Sequence, residues 1–127
     1  MREQAVQRVL PPWPLDEFLS KQGITVSKYD DRRQYARLYF RQPVTLEVTG
    51  GLPSIPREND SIPTYCCDIS RGGIAFLSPI ELYPRETAIL WLGNLGKKNV
   101  RIARCRRLAA NCYEVGGTFM EREPWTS

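Results

Sequence analysis

The chain has 127 residues, 42% of them hydrophobic and 25% charged, with a formal net charge of +4 and no histidine. That length suits one domain around one core, and without histidine the chain cannot assemble Ser-His or Cys-His nucleophilic catalysis. Apolar runs such as Ile89-Leu90-Trp91-Leu92 fall far short of the roughly 20 residues that cross a bilayer, and Glu3, Gln4, Gln7 and Arg8 interrupt any signal-peptide core, so a cytoplasmic protein with no membrane insertion is expected.

In chain order, residues 1–30 form an N-terminal extension, with Pro11, Pro12 and Pro14 around Trp13. A short helix is predicted over Leu15–Lys21, with Asp16 and Glu17 suiting its first turn and Gly23 its end. For apolar Trp13, Leu15, Phe18 and Leu19, helical spacing favours packing against the core over a role as a docking segment or a flap over the domain.

The lead-in to the first strand, Asp30-Asp31-Arg32-Arg33-Gln34-Tyr35-Ala36-Arg37-Leu38, is rich in arginine, whose planar fork grips phosphate. An arginine pair four apart is equally the pattern of a solvated helix face, and Arg37 and Arg41 repeat the spacing. From Leu38 the period becomes that of strands: Val44, Leu46 and Val48 alternate with Thr45 and Glu47. Gly50-Gly51 and residues 53–63 read as a loop, followed by strands over Thr64–Ile69, Gly73–Ser78, Thr87–Leu92, Asn99–Leu108 and Cys112–Phe119. Asn94–Lys98 and Ala109–Asn111 suit hairpin connections. The fold class expected is all-β: a six-stranded antiparallel β-barrel, closed to protect its edges, behind an N-terminal extension with a short helix.

Between two of these strands lies Cys67-Asp68-Ile69-Ser70-Arg71-Gly72-Gly73-Ile74. Asp68 can accept from a guanine edge with both oxygens, Ser70 can donate to phosphate, and Gly73 allows close backbone approach. The same residues also make an ordinary Asp/Ser-stabilised hairpin. The four cysteines are spaced unlike a zinc knuckle and, without histidine, read as reduced structural thiols, so no metal is expected. With no base-orienting partner near Asp68 or Glu114, an enzyme is not expected either.

Taken together, Arg33-x-x-x-Arg37 followed by Asp68-x-Ser70-x-x-Gly73 across the start of a small barrel resembles the PilZ family, and Tyr113-Glu114-Val115-Gly116-Gly117-Thr118-Phe119 resembles its closing strand. The resemblance covers residues 31–123, leaving a tail at 124–127 without the C-terminal helix that many PilZ domains carry. It implies a receptor for the bacterial second messenger cyclic di-GMP. Arg33 and Arg37 would lie on ligand phosphates and guanine faces, with Asp68, Ser70 and Gly73 reading the opposite edge. Gln34, Arg71, Gly72 and Gly117 are secondary candidates. Arg32, an extra arginine before the motif, resembles those of PilZ domains that take an intercalated pair of ligands, implying two cyclic di-GMP molecules per chain. The expected signal is movement of residues 32–37 and the attached N-terminal segment, which regulates a downstream partner protein in motility or biofilm control.

Two alternatives stay open: a PilZ scaffold that is an adaptor without nucleotide binding, and a basic barrel for single-stranded nucleic acid built on Arg101, Arg104, Arg106, Arg107 and Tyr113. Strict strand alternation would put residues 101, 103, 105 and 107 on one face and 104 and 106 on the other, which argues against the nucleic-acid reading.

Overall fold

The computed structural model describes residues 8–25, 37–57 and 60–120. The expectations placed on Arg32, Arg33, Gln34 and the 124–127 tail lie outside the described residues.

The element order is α1 (Leu15–Leu19), β1 (Leu38–Tyr39), β2 (Pro43–Gly50), β3 (Ser61–Ile69), β4 (Gly73–Ser78), β5 (Thr87–Trp91), β6 (Lys97–Ala109) and β7 (Cys112–Phe119), with one 3-10 turn at Gly93–Leu95. All strand pairs are antiparallel. The sheet runs β3-β2-β5-β6-β7-β4 and closes where β4 returns to β3, giving the expected six-stranded barrel, with short β1 added beside β3. Closure pairs edges that would otherwise template association.

The boundaries differ from the sequence reading chiefly at three places. β3 begins at Ser61, inside the expected 53–63 loop, because Ser61–Tyr65 pair with Pro43–Glu47. Pro63 is tolerated there, and its carbonyl accepts from the Val9 N–H at 3.0 Å. β6 begins at Lys97, since Trp91 pairs with Lys97 and Leu90 with Lys98. The helix stops at Leu19 with Ser20 as its C-cap, short of Lys21. Asp16 and Glu17 do occupy its first turn.

Alternation divides the buried residues into two layers. Val44, Leu46, Val48, Cys66, Ile74, Phe76, Leu90, Val100, Ile102 and Val115 fill the barrel. Their neighbours Cys67, Ala75 and Leu77 point the other way and join Tyr65, Cys112, Val9 and Phe18 in a second cluster. The extension is thus a strap over the outer wall of β3, β4 and β7, and β4 is buried on both faces from Ile74 to Ser78. Arg8 fastens the strap, donating to the Thr64 carbonyl at 2.7 Å and lying over the Tyr65 ring. Burying Phe18 stabilises this layer by about 2 kcal/mol on transfer grounds. On the far side, Arg57 grips the fully buried Glu86 through two hydrogen bonds of 2.7 and 2.8 Å, latching the loop after β2 to the β4–β5 connection.

The largest correction concerns the arginines of β6. Ile102 pairs with Gly117, but the next pairing is Arg104 with Gly116, because β6 bulges between them. Arg101 pairs with Thr118, Arg104 with Gly116 and Arg106 with Glu114, so these arginines face alternate residues of one β7 face. They share the outer wall, contrary to strict alternation, and Cys105 packs against the core.

Candidate ligand-binding site

The β3–β4 turn presents the second motif. Ser70 closes it twice: its N–H donates to the Gly73 carbonyl at 2.9 Å, and its Oγ accepts from the Gly73 N–H at 3.2 Å. Arg71 and Gly72 lie exposed at the tip, and the Gly72 carbonyl accepts from the Phe119 N–H. Gly73 must lack a side chain, since a Cβ there would collide with the Gly117 carbonyl oxygen, which backbone cannot yield cheaply. Gly117 faces inward, where Val100 and the Arg101 carbonyl fill the space a side chain would need.

Asp68 stands at the end of β3, paired with Tyr39 on one side and Ala75 on the other. Its Oδ1 is buried and accepts no hydrogen bond among the described residues. The Arg37 Nε lies 3.0 Å away, so the two attract as charges without an N–H aimed at the oxygen. Burial pushes the Asp68 carboxyl above its ordinary range, and Glu114 adds to the rise, while Arg37, Arg41 and Arg104 oppose it. A desolvated carboxylate with an unfilled acceptor position is a costly arrangement that an incoming N–H donor would relieve.

Arg37 is the last residue of the first motif and the only member of its arginine pair among the described residues. Its carbonyl accepts from the Thr25 N–H at 2.9 Å, the Tyr39 N–H donates to the Gly23 carbonyl at 2.8 Å, and Ile24 bridges to Leu38. The chain on either side of 26–36 is therefore stitched together and to β3. Arg41, which repeats the arginine spacing, is occupied elsewhere: its Nε donates to the Cys67 carbonyl at 2.8 Å and its guanidinium lies over Phe18 and Tyr39 at 4.2 and 4.9 Å. With Trp13, Glu17, Phe18 and Lys21 it lines a cleft of about 270 Å³ at the strap.

The structure thus brings Arg37, Asp68, Ser70 and Gly73 to one end of the β3–β4 wall. The sequence reading did not connect Arg104 with them, yet the row of paired residues Tyr39, Asp68, Ala75, Gly116 and Arg104 crosses four strand junctions on one face. The adjacent Gly116-Gly117 pair was its only sequence trace. The cysteines are free, and burial pushes the thiols of Cys66 and Cys67 well above the ordinary range. Among the described residues no acidic or thiol cluster could hold a metal ion, and no helix is long and apolar enough to cross a membrane.

In fold, the chain is similar to the Bacillus subtilis inhibitor of motility (MotI/DgrA), at a TM-score of 0.50 and 17% identity over 76% of this chain. It spans 46% of that longer protein. No curated protein matches the chain. The family model described as PilZ domain matches residues 31–121, a span holding both motifs and all seven strands. That match spans well over half of the chain, and the chain belongs to the PilZ domain family.

Proposed function

We propose that the protein is a cyclic di-GMP receptor that regulates a partner protein, with Arg37, Asp68, Ser70 and Gly73 in the binding site. Membership of the PilZ family supports the ligand class. The observation that carries the reading is the buried, unbonded Asp68 Oδ1 beside Arg37. A guanine N1–H and N2–H edge can donate to the two oxygens of a carboxylate, Oδ1 among them, and the Arg37 fork suits phosphate or a base face. Arg32 and Arg33, carried by the family resemblance, complete the arginine set, with Gln34, Arg71, Gly72 and Gly117 as secondary contributors. Arg32 implies two ligands per chain. Hydrogen bonds to charged groups contribute about 1.5 to 3 kcal/mol each, and a micromolar ligand needs about 8 kcal/mol, so a few such contacts suffice.

The backbone stitching between 23–25 and 37–39 supports the signalling step. A shift of Arg37 toward ligand pulls on Gly23 and Thr25, and through them on α1 and the strap. The motility inhibitor of similar fold makes motility control a natural output to test.

Titration calorimetry of cyclic di-GMP into the protein, beside Arg37→Ala and Asp68→Ala variants and a GTP control, tests the reading. Saturable micromolar binding lost in the variants supports it, and a stoichiometry near two supports the paired ligand. Absence of heat at high ligand concentration leaves the adaptor scaffold. The outer-wall placement of Arg101, Arg104 and Arg106 gives the single-stranded nucleic acid reading a physical basis, although Arg106 is neutralised by Glu114. An oligonucleotide titration decides it, since backbone neutralisation makes such binding steeply salt-dependent.

A further inference from the structure

The β6 bulge gives Arg104 a position that neither motif encodes. Alternation from Ile102 would aim residue 104 into the barrel; the bulge turns it outward, opposite Gly116. A Cβ built on Gly116 would lie 2.6 Å from the Arg104 Cζ and 2.7 and 3.0 Å from its two terminal nitrogens. Near-equal distances to three atoms of a flat group mean that the guanidinium lies broadside over the glycine, not edge-on. Its inner face covers the backbone, and because Arg104 is exposed, its other face is presented to solvent. The neighbouring acid, Glu114, is taken by Arg106, and Arg104 makes no hydrogen bond or ion pair with another described residue.

Arg104 also lies in line with the candidate site. Asp68, Ala75, Gly116 and Arg104 are successive partners across β3, β4, β7 and β6. Their Cα atoms span three strand spacings of about 4.8 Å each, comparable with the width of a dinucleotide. Ala75 and Gly116 between the charged ends add little height, so a flat ligand held by Asp68 would extend over them toward the guanidinium.

We propose that the solvent-facing side of the Arg104 guanidinium stacks on a base of the bound cyclic dinucleotide, making Arg104 a binding residue outside both motifs. This rests on the cyclic di-GMP reading. A guanidinium stacks on planar rings through its delocalised face, which an ammonium lacks. The Gly116 vacancy is what lets that face lie parallel to the sheet.

The test is calorimetric titration of cyclic di-GMP into the wild-type protein and the Arg104→Ala, Arg104→Lys, Gly116→Ala and Arg106→Ala variants, with Tm recorded for each. Stacking worth about 1 to 2 kcal/mol predicts Kd raised about 5- to 30-fold by Arg104→Ala, and nearly as much by Arg104→Lys, which keeps the charge but loses the plane. Gly116→Ala, which displaces the guanidinium without removing it, should weaken binding in the same direction, whereas Arg106→Ala should not. Arg104→Lys within about twofold of wild type would overturn stacking in favour of charge alone, and an unchanged Arg104→Ala would overturn any contact. In either case, loss of binding in Arg37→Ala would leave the receptor reading standing. A wild-type protein that gives no heat defeats both.

Discussion

At the scale of single residues, the proposed binding role of Asp68 is set against stability. Its carboxyl is raised by burial, so the folded state holds the proton more tightly than the unfolded chain. The stability linked to this group is therefore full below the unfolded value near 3.8 and is lost as pH rises through the folded value. Asp68→Asn should accordingly raise Tm at pH 7, with the gain over wild type shrinking as pH is lowered toward 4, while cyclic di-GMP binding is lost. A thermal-shift series from pH 4 to 7 on both proteins checks this, and a gain that grows on acidification would contradict it. The turn behaves differently. Ser70→Ala removes the acceptor for the Gly73 N–H and should cost about 1 kcal/mol in urea unfolding. Gly73→Ala must push the β4 and β7 backbones apart and should cost about 2 kcal/mol or more.

At the scale of elements, two attachments hold the barrel's accessories, and each has its own signature. The strap is held by Phe18, which is 3% exposed, meets the Tyr65 ring edge-on and shares a buried cluster with Cys67 and Leu77. Phe18→Ala should destabilise by about 3 kcal/mol, and Cys67 and Cys112 should become reactive to a thiol reagent under native conditions that leave them protected in wild type. Unchanged thiol protection would mean the strap does not depend on Phe18. The Arg57–Glu86 latch answers to acid. Burial raises the Glu86 carboxyl, but the Arg57 hydrogen bonds and the Tyr83 N–H outweigh it, so the net direction is downward. Stability from this pair is present above the unfolded value of 4.5 and lost as pH falls through the folded one. Arg57→Ala, which strands a buried carboxylate, should cost about 3 kcal/mol at pH 7, and less below pH 4, where Glu86 can take up a proton. Urea unfolding at both pH values measures it.

At the scale of the whole molecule, a ligand that binds only the folded state stabilises by mass action, so cyclic di-GMP at 100 times its Kd should add about 2.7 kcal/mol. For a domain of this size that is a Tm rise of roughly 10 °C, readable by differential scanning fluorimetry and absent in Arg37→Ala. The motifs and the barrel were legible from residue order because each depends on neighbours within a few positions: the Ser70–Gly73 turn closes over three residues, and Val44, Leu46 and Val48 mark their own buried face. The early start of β3 was not legible, since Ser61–Tyr65 become strand only by pairing with β2, and Pro63 argues locally for a loop. Nor was the common face of Arg101, Arg104 and Arg106. One inserted residue reverses every side chain beyond it, and whether β6 bulges depends on matching its register to Gly116 and Gly117 across the barrel. Sequence alone therefore determined the family, the strand pattern and the motif residues, because turn chemistry and alternation act locally. Tertiary structure decided which arginines share a wall, where the strap lies and why the Asp68 Oδ1 is buried without a hydrogen bond, because each of these depends on strands brought together from distant stretches of the chain.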